Sequence, residues 1–274
     1  MSAKELCLSI ALTAAFAAGA APAWSASCSK NASGFDTWKT EIRSEALSKG
    51  ISQRTADKVL ASVSYSKATI RADRGQKSFK LSLDEFMRKR GATTIVSRGK
   101  KMKAQNAALF ASIEKRFGVP AGPLIAIWGM ETGFGSFMGK EHTLSAVATL
   151  SFDCRRTAYF TDQFMAALKL VDAGNLPINA KGAAHGEIGQ TQFLPKNVLL
   201  YGIDGDGNGH IDMVGSRADA LASTANFLRG HGWRPGAGYQ PGEPNYAAIK
   251  GWNDAKVYQQ AIAIMGAQID GVSR

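Results

Sequence analysis

The chain has 274 residues, 45% of them apolar and 20% charged, a balance that excludes a disordered chain and suffices for one large buried core or two modest ones. Its formal charge of +11 attracts polyanions. The basic residues are nevertheless scattered, without zinc-ligand spacing, a ribonucleoprotein motif or a basic helix with heptads, which argues against a nucleic-acid partner.

Residues 6–23, LCLSIALTAAFAAGAAPA, are small and apolar behind Lys4 and end in Ala21-Pro22-Ala23. They predict a secretory signal over 1–26, cleaved near 23–27, rather than a membrane anchor, and leave 27–274 as the mature domain. Cleavage removes Cys7, so Cys28 and Cys154 have one pairing open to them in an oxidising compartment. Phe35, Trp38, Ile42 and Ala46 then recur at helical spacing up to Gly50, and Ser52 can cap a helix whose apolar side is Val59, Leu60 and Val63. Residues 91–117 predict one longer helical segment through Ile95, Met102, Leu109, Ile113 and Phe117, closed by Gly118-Val119-Pro120. Further helices are predicted at 120–131, 142–151, 157–173, 195–201, 216–230 and 253–268. Gly, Pro and Asn cluster at 174–192 and 230–245, which predicts long loops of the kind that build binding surfaces. Period-two alternation is nearly absent, so the class is mainly α.

The stretch LIAIWGMETGFG, residues 124–135, ends an apolar helix in an acid. Leu124, Ile127 and Trp128 precede Glu131 at helical spacing, which projects its carboxylate from the apolar face. Desolvation there disfavours charge and makes Glu131 a candidate general acid. Thr132-Gly133-Phe134-Gly135 stops the helix and lets backbone and ligand come close. Spacing alone leaves open a last-turn glutamate that is merely capped by a loop or paired with an arginine. Glycosidic cleavage usually needs a second carboxylate. Glu187, in GEIGQTQF, and Asp153 are the candidates, and neither spacing places it beside Glu131. Serine-hydrolase, zinc-protease and phosphate-loop motifs are absent from the sequence.

Five ordered stretches, GVPAGPLIAIWGMETGFGSFMG, TLSAVATLSFDCRR, GEIGQTQFLP, YGIDGDGNGHIDM and ADALASTANFLRGHGW, resemble the lytic murein transglycosylase B family over roughly residues 35–270. The resemblance implies a lysozyme-like catalytic domain with a helical flanking subdomain. It also implies cleavage of the MurNAc-GlcNAc β-1,4 bond of peptidoglycan without water. In that family a single glutamate, here Glu131, protonates the leaving oxygen and then helps the sugar's own C6 hydroxyl close a 1,6-anhydro ring. An intramolecular nucleophile relieves the need for a second catalytic carboxylate. Gln192 matches a sugar-contacting glutamine whose amide both donates and accepts. Arg155 and Arg156 match a paired-arginine element behind the cleft, with substrate contact and a structural clamp on nearby carbonyls both open. Asn226 matches a family asparagine, but the adjacent family tyrosine is Phe227, and a cleft serine falls on Ala183. Trp252-Asn253 resembles a groove-closing aromatic-Asn pair with the aromatic changed.

Asp204, Asp206 and Asn208, followed by Gly209, fit the start of an EF-hand loop, with His210 offering its backbone carbonyl. Position twelve is Gly215, so the final carboxylate passes to Asp219, as the resemblance also implies. The expected role is a structural calcium ion, with no cofactor needed for catalysis. A loop rich in Asx turns that binds only weakly is the alternative. Export by the N-terminal signal predicts a periplasmic location; the expected protein is a monomer whose partners are peptidoglycan glycan strands and other cell-wall enzymes. Two other readings stay open: a hydrolytic muramidase using Glu131 and Glu187, and a catalytically silent peptidoglycan-binding scaffold.

Overall fold

The computed structural model describes residues 26–75 and 81–272. Apart from Ala26, the signal expected at 1–26 lies outside them. Thirteen helices and one two-residue antiparallel strand pair make up the regular structure among these residues, so the chain is mainly α.

The N-terminal helices follow their local signals. α1 (Phe35–Ser48) buries Phe35, Trp38, Ile42 and Ala46, the positions its periodicity marks. The Ser52 hydroxyl caps α2 (Gln53–Ser62) by accepting from the Thr55 amide, satisfying a donor that has no partner within the helix. Two helices then appear that periodicity does not predict. α3 (Lys67–Arg74) and α4 (Leu83–Arg90) are short, and α4 buries only Phe86, too little apolar surface to show a repeat. Each is instead set by its cap, Ser66 for α3 and Ser82 for α4, and Ser82-x-x-Glu85 has capping-box spacing.

The long helix expected over 91–117 is two, α5 (Ala92–Gln105) and α6 (Ala107–Phe117). Asn106 breaks it: its amide donates to the Met102 carbonyl at 2.8 Å, and its own backbone leaves helical geometry. Arg217 donates to the Asn106 side-chain oxygen at 2.7 Å and holds the joint.

α7 (Ala121–Thr132) is the central helix. It is buried on all sides, with Glu131 the one residue in it that is not. The expected amphipathic helix with an apolar face is therefore a core helix, and the acid is accessible because it stands at the end that reaches a cleft. Small residues let neighbours approach: a Cβ on Gly122 would lie 2.2 Å from the Gly266 carbonyl, and one on Gly129 2.6 Å from Ile95. α13 (Lys256–Asp270) and α5 pack here, with α6 and α11 (Arg217–Gly230) completing the surround.

α8 (Thr143–Phe152) is likewise wholly buried and packs on α9 (Thr157–Asp172), which in turn carries α2 and α10 (Pro195–Tyr201). β1 (Glu141–His142) pairs with β2 (Lys181–Gly182), tying the segment before α8 to the long loop after α9. α12 (Tyr246–Trp252), also unpredicted, packs on α11 and α13, and α13 starts at Lys256 rather than 253. One continuous cluster of buried side chains runs from Phe35 to Ile269. The Cys28–Cys154 disulfide forms as expected and joins the segment ahead of α1 to the α8–α9 turn. No helix among the described residues is long and apolar enough to cross a membrane.

Candidate active site

Glu131 lines a cavity of about 450 Å³. α7 ends one residue later at Thr132, and its cap Gly133, with a left-handed φ of 57°, turns the chain away. The Thr132 hydroxyl locks that turn by donating to the Gln190 carbonyl at 2.6 Å and accepting from the Gly135 amide at 2.9 Å. Two neutral donors reach one carboxylate oxygen: Tyr258 O–H at 2.6 Å and Trp252 indole N–H at 3.1 Å, both on Glu131 Oε1. Burial pushes the Glu131 carboxyl above its ordinary range; the two hydrogen bonds and the positive charge of Arg90 oppose the shift, and the charge of Glu187 adds to it. Arg90 itself caps the α7 terminus, donating to the Met130 carbonyl at 3.4 Å. Burial, then the neighbouring Glu131, raises the Tyr258 hydroxyl well above its ordinary value, so Tyr258 is a proton-bearing donor.

Glu187 lines the same cavity. Its carboxylate accepts from the His185 backbone amide at 3.0 Å and sits 3.1 Å from His185 Nδ1. Burial acts to raise its pKa, but the hydrogen bonds and charge of His185 more than offset this and hold it below the usual range. Gln192, Phe227, Trp252 and Asn253 also line the cavity. Gln192 closes the turn made by the Ile188–Phe193 bridge with a left-handed φ of 55°, and its amide donates to the Gly189 carbonyl at 2.8 Å. Phe227 stacks on His231 with ring centroids 3.9 Å apart and meets Phe193 and Trp252 edge-on, so the position without a hydroxyl anchors an aromatic wall.

Arg155, Arg156 and Asn226 do not line this cavity. Both arginines converge on Asp73 of α3, which is buried. Arg155 Nε donates to it at 2.7 Å, Arg155 Nη2 reaches its backbone carbonyl at 3.1 Å, and Arg156 Nη2 reaches its other carboxylate oxygen. Burial alone would raise the Asp73 pKa, but the arginines bring it below its ordinary value. Asn226 donates to the Tyr201 carbonyl at 3.1 Å, fastening α11 to the end of α10. Sequence reasoning missed Tyr258, Tyr159 and Asn197 in the site. No motif marks Tyr258, which reads as one more core aromatic in α13, and only its contact with Glu131 brings it into the site.

The acidic loop gathers Asp204, Asp206 and Asp219, each offering an oxygen within 4.8 Å of the others. Asp219 is fully buried and its two oxygens accept from the Gly205 and Asp212 amides. Asp204 accepts from the Gly207 and Gly209 amides. Asn208 turns its carbonyl to the His210 amide at 2.9 Å, and Asp212 turns away to the Val214 and Gly215 amides. Three carboxylates drawn together on hard oxygen donors suit a calcium-sized cation.

A mainly helical core that delivers a partly buried acid, its pKa raised by burial, to an aromatic-walled cleft is a glycosidase-like arrangement. The sequence matches the transglycosylase SLT domain over residues 34–242, and the chain belongs to that family. The membrane-bound lytic murein transglycosylase B of Escherichia coli (strain K12) is 38% identical over 138 residues, covering 47% of this chain and 38% of that protein. The matched stretch thus spans well under half of that curated relative. Among solved structures, SltB3 from Pseudomonas aeruginosa, in complex with NAG-anhNAM-pentapeptide, superposes with a TM-score of 0.81 at 28% identity, covering 86% of this chain and 80% of that one. The Escherichia coli lytic transglycosylase Slt35, in complex with calcium, shares the fold with a TM-score of 0.74 at 24% identity, over 85% of this chain and 92% of that one.

Proposed function

We propose that this protein is a lytic transglycosylase that cleaves the MurNAc-GlcNAc β-1,4 bond of peptidoglycan and leaves a 1,6-anhydromuramoyl end. The observation that carries the reading is Glu131: a carboxyl whose hold on its proton is strengthened by burial, oriented by Tyr258 and Trp252, and facing a cleft. Both donors end on Oε1, which leaves Oε2 to deliver a proton to the glycosidic oxygen. As that C–O bond breaks, charge develops on the sugar ring, and the C6 hydroxyl of the same sugar can close on the anomeric carbon without a water molecule. The glycan complex of SltB3 supports the same ligand class for this cleft.

Gln192, Trp252 and Asn253 are placed to meet sugar amides and hydroxyls, and Phe227 to stack on a ring face. Arg155 and Arg156 act one layer out, holding α3 to the α8–α9 turn through Asp73. The Asp204–Asp219 loop holds a structural calcium ion, a role to which the calcium complex of Slt35 lends support. The disulfide and the signal-like leader together favour the periplasm.

Digestion of purified peptidoglycan followed by mass spectrometry tests the reaction. Anhydro ends are expected, reducing muramic ends would make the protein a muramidase, and no products would leave a wall-binding scaffold. Glu131→Gln should lower turnover by roughly 10²- to 10⁴-fold while glycan binding persists; turnover within tenfold of the parent protein would remove Glu131 from the chemistry.

A further inference from the structure

Beyond Glu131 the chain doubles back over the end of α7. Gly133, Phe134 and Gly135 all take left-handed φ, at 57°, 65° and 80°, a conformation disfavoured for a phenylalanine. Phe134 is held in it by packing inward, edge-on to Trp128 with ring centroids 5.3 Å apart and under the Arg98 guanidinium. The reversal returns Phe137 to the helix end: its amide donates to the Thr132 carbonyl at 2.9 Å, and a Cβ on Gly133 would lie 3.3 Å from its ring. Next to it, the Met138 carbonyl accepts from Gln192 of the cleft wall at 3.4 Å. At Gly139 a Cβ would meet the Gly182 carbonyl at 2.1 Å, which docks the turn on β2. The turn is thus fixed at both ends, yet Phe137 is 79% exposed, the most exposed large apolar side chain among the described residues. Lone exposed apolar side chains are common on protein surfaces. This one stands on pinned, left-handed backbone beside the acid and beside Gln192, the kind of setting in which strain accompanies function.

We propose that Phe137 is a specificity-determining residue at the rim of the cleft, an aromatic platform on which a sugar ring of the glycan strand stacks outside the cavity. The proposal rests on the glycan reading of the cleft. A cavity of about 450 Å³ takes in only a short piece of a polymer, so a strand bound across Glu131 runs on over the rim. Gln192 meets its polar groups inside, and the Phe137 ring meets the apolar C–H face of a pyranose outside. Each pyranose of a β-1,4-linked strand presents such a face. A flat ring on a backbone that is already fixed covers it at small cost in entropy. The peptides that peptidoglycan carries are flexible and charged and offer no comparable flat apolar face.

The test is titration calorimetry of purified glycan strands in the Glu131→Gln background, where cutting is suppressed, with strands stripped of their peptides and strands that keep them. Phe137→Ala should weaken binding of stripped strands by roughly 3- to 10-fold, the range an aromatic contact supplies. Phe137→Trp keeps the platform and should bind as the parent does. The loss should be equal on both kinds of strand, and in the cleaving protein it should appear mainly in KM. Melting curves should overlay that of the parent, because the ring buries little. Binding by Phe137→Ala within twofold of the parent, a loss that Phe137→Trp does not restore, or a loss confined to peptide-bearing strands would each overturn the proposal, the last by assigning the ring to the peptide. Strand binding that Phe137→Ala leaves unchanged removes this proposal alone, whereas a Glu131→Gln protein that binds no strand removes the glycan reading with it.

Discussion

At the scale of single residues, the feature that suits Glu131 to proton donation also costs stability. Its pKa is higher in the folded protein than in the unfolded chain, because burial disfavours the charge. A carboxyl with a raised pKa contributes its full stability below the unfolded value, and that contribution is lost as pH rises through the folded value. Glu131→Gln keeps the oxygen that Tyr258 and Trp252 donate to and removes the charge. Its melting temperature should therefore exceed that of the parent near pH 7, by about 2–4 °C for each kcal/mol recovered, and match it near pH 4. Melting curves at the two pH values decide this, and a variant less stable at neutral pH would show that the carboxylate is held by attraction. Sequence alone exposed this acid because glycines and an apolar run surround it. It did not expose Tyr258, whose hydroxyl reaches Glu131 across 127 positions of chain, nor the assignment of Arg155 and Arg156 to Asp73. Contacts between residues so far apart leave no local pattern.

At the scale of elements, helices with their own periodicity or core were legible, and those stabilised by a cap or by a neighbour were not. α1, α7, α8 and α9 carry enough apolar residues to announce themselves. α3, α4 and α12 are seven or eight residues long, the first two set by their serine caps and α12, without one, held by packing. The Asn106 joint was hidden because the apolar spacing continues through it, and only the amide bond to Met102 reveals the stop. The two glycines of α7 were legible as residues but not as requirements. Gly122 marks where α7 and α13 cross with backbones nearly touching, its amide donating to Asp270 at 2.9 Å. An alanine there would drive its Cβ into the Gly266 carbonyl, a backbone atom with no rotamer to yield. Gly122→Ala should cost about 1–3 kcal/mol or more. The melting temperature should drop by several degrees at about 2–4 °C per kcal/mol. A variant that melts with the parent would mean that α13 slides freely, and would loosen the tie between Tyr258 and Glu131.

At the scale of the whole molecule, a covalent link and a polar loop act on segments that the core alone does not fix. The disulfide closes a stretch of 126 positions and ties the first described residues to the α8–α9 turn, beside the Asp73 clamp. Loop entropy assigns such a closure about 3–5 kcal/mol in the chain-entropy account. Replacing Cys28 and Cys154 with serine should thus lower the melting temperature without changing the cleavage products, and unchanged melting would make the link dispensable. The acidic loop joins α10 to α11, the elements that carry Asn197 and Phe227 to the cleft wall. Its three carboxylates repel one another unless a cation lies among them, and Asp219 is anchored in α11 by burial and by two backbone amides. With three acids and a glycine where the usual bidentate ligand would stand, affinity should fall in the roughly 10⁻⁴–10⁻³ M range of extracellular modules. Calcium at about ten times its Kd then adds roughly 1.4 kcal/mol by linkage and raises the melting temperature by a few degrees. Asp204→Ala should abolish that rise while leaving the calcium-free protein folded, because Asp219, not Asp204, is the buried member. Glu131 needs no metal for its proton, so chelation should lower the melting temperature before it lowers turnover. A titration calorimeter that records no heat with millimolar calcium would return the loop to a set of Asx turns and leave the catalytic reading intact.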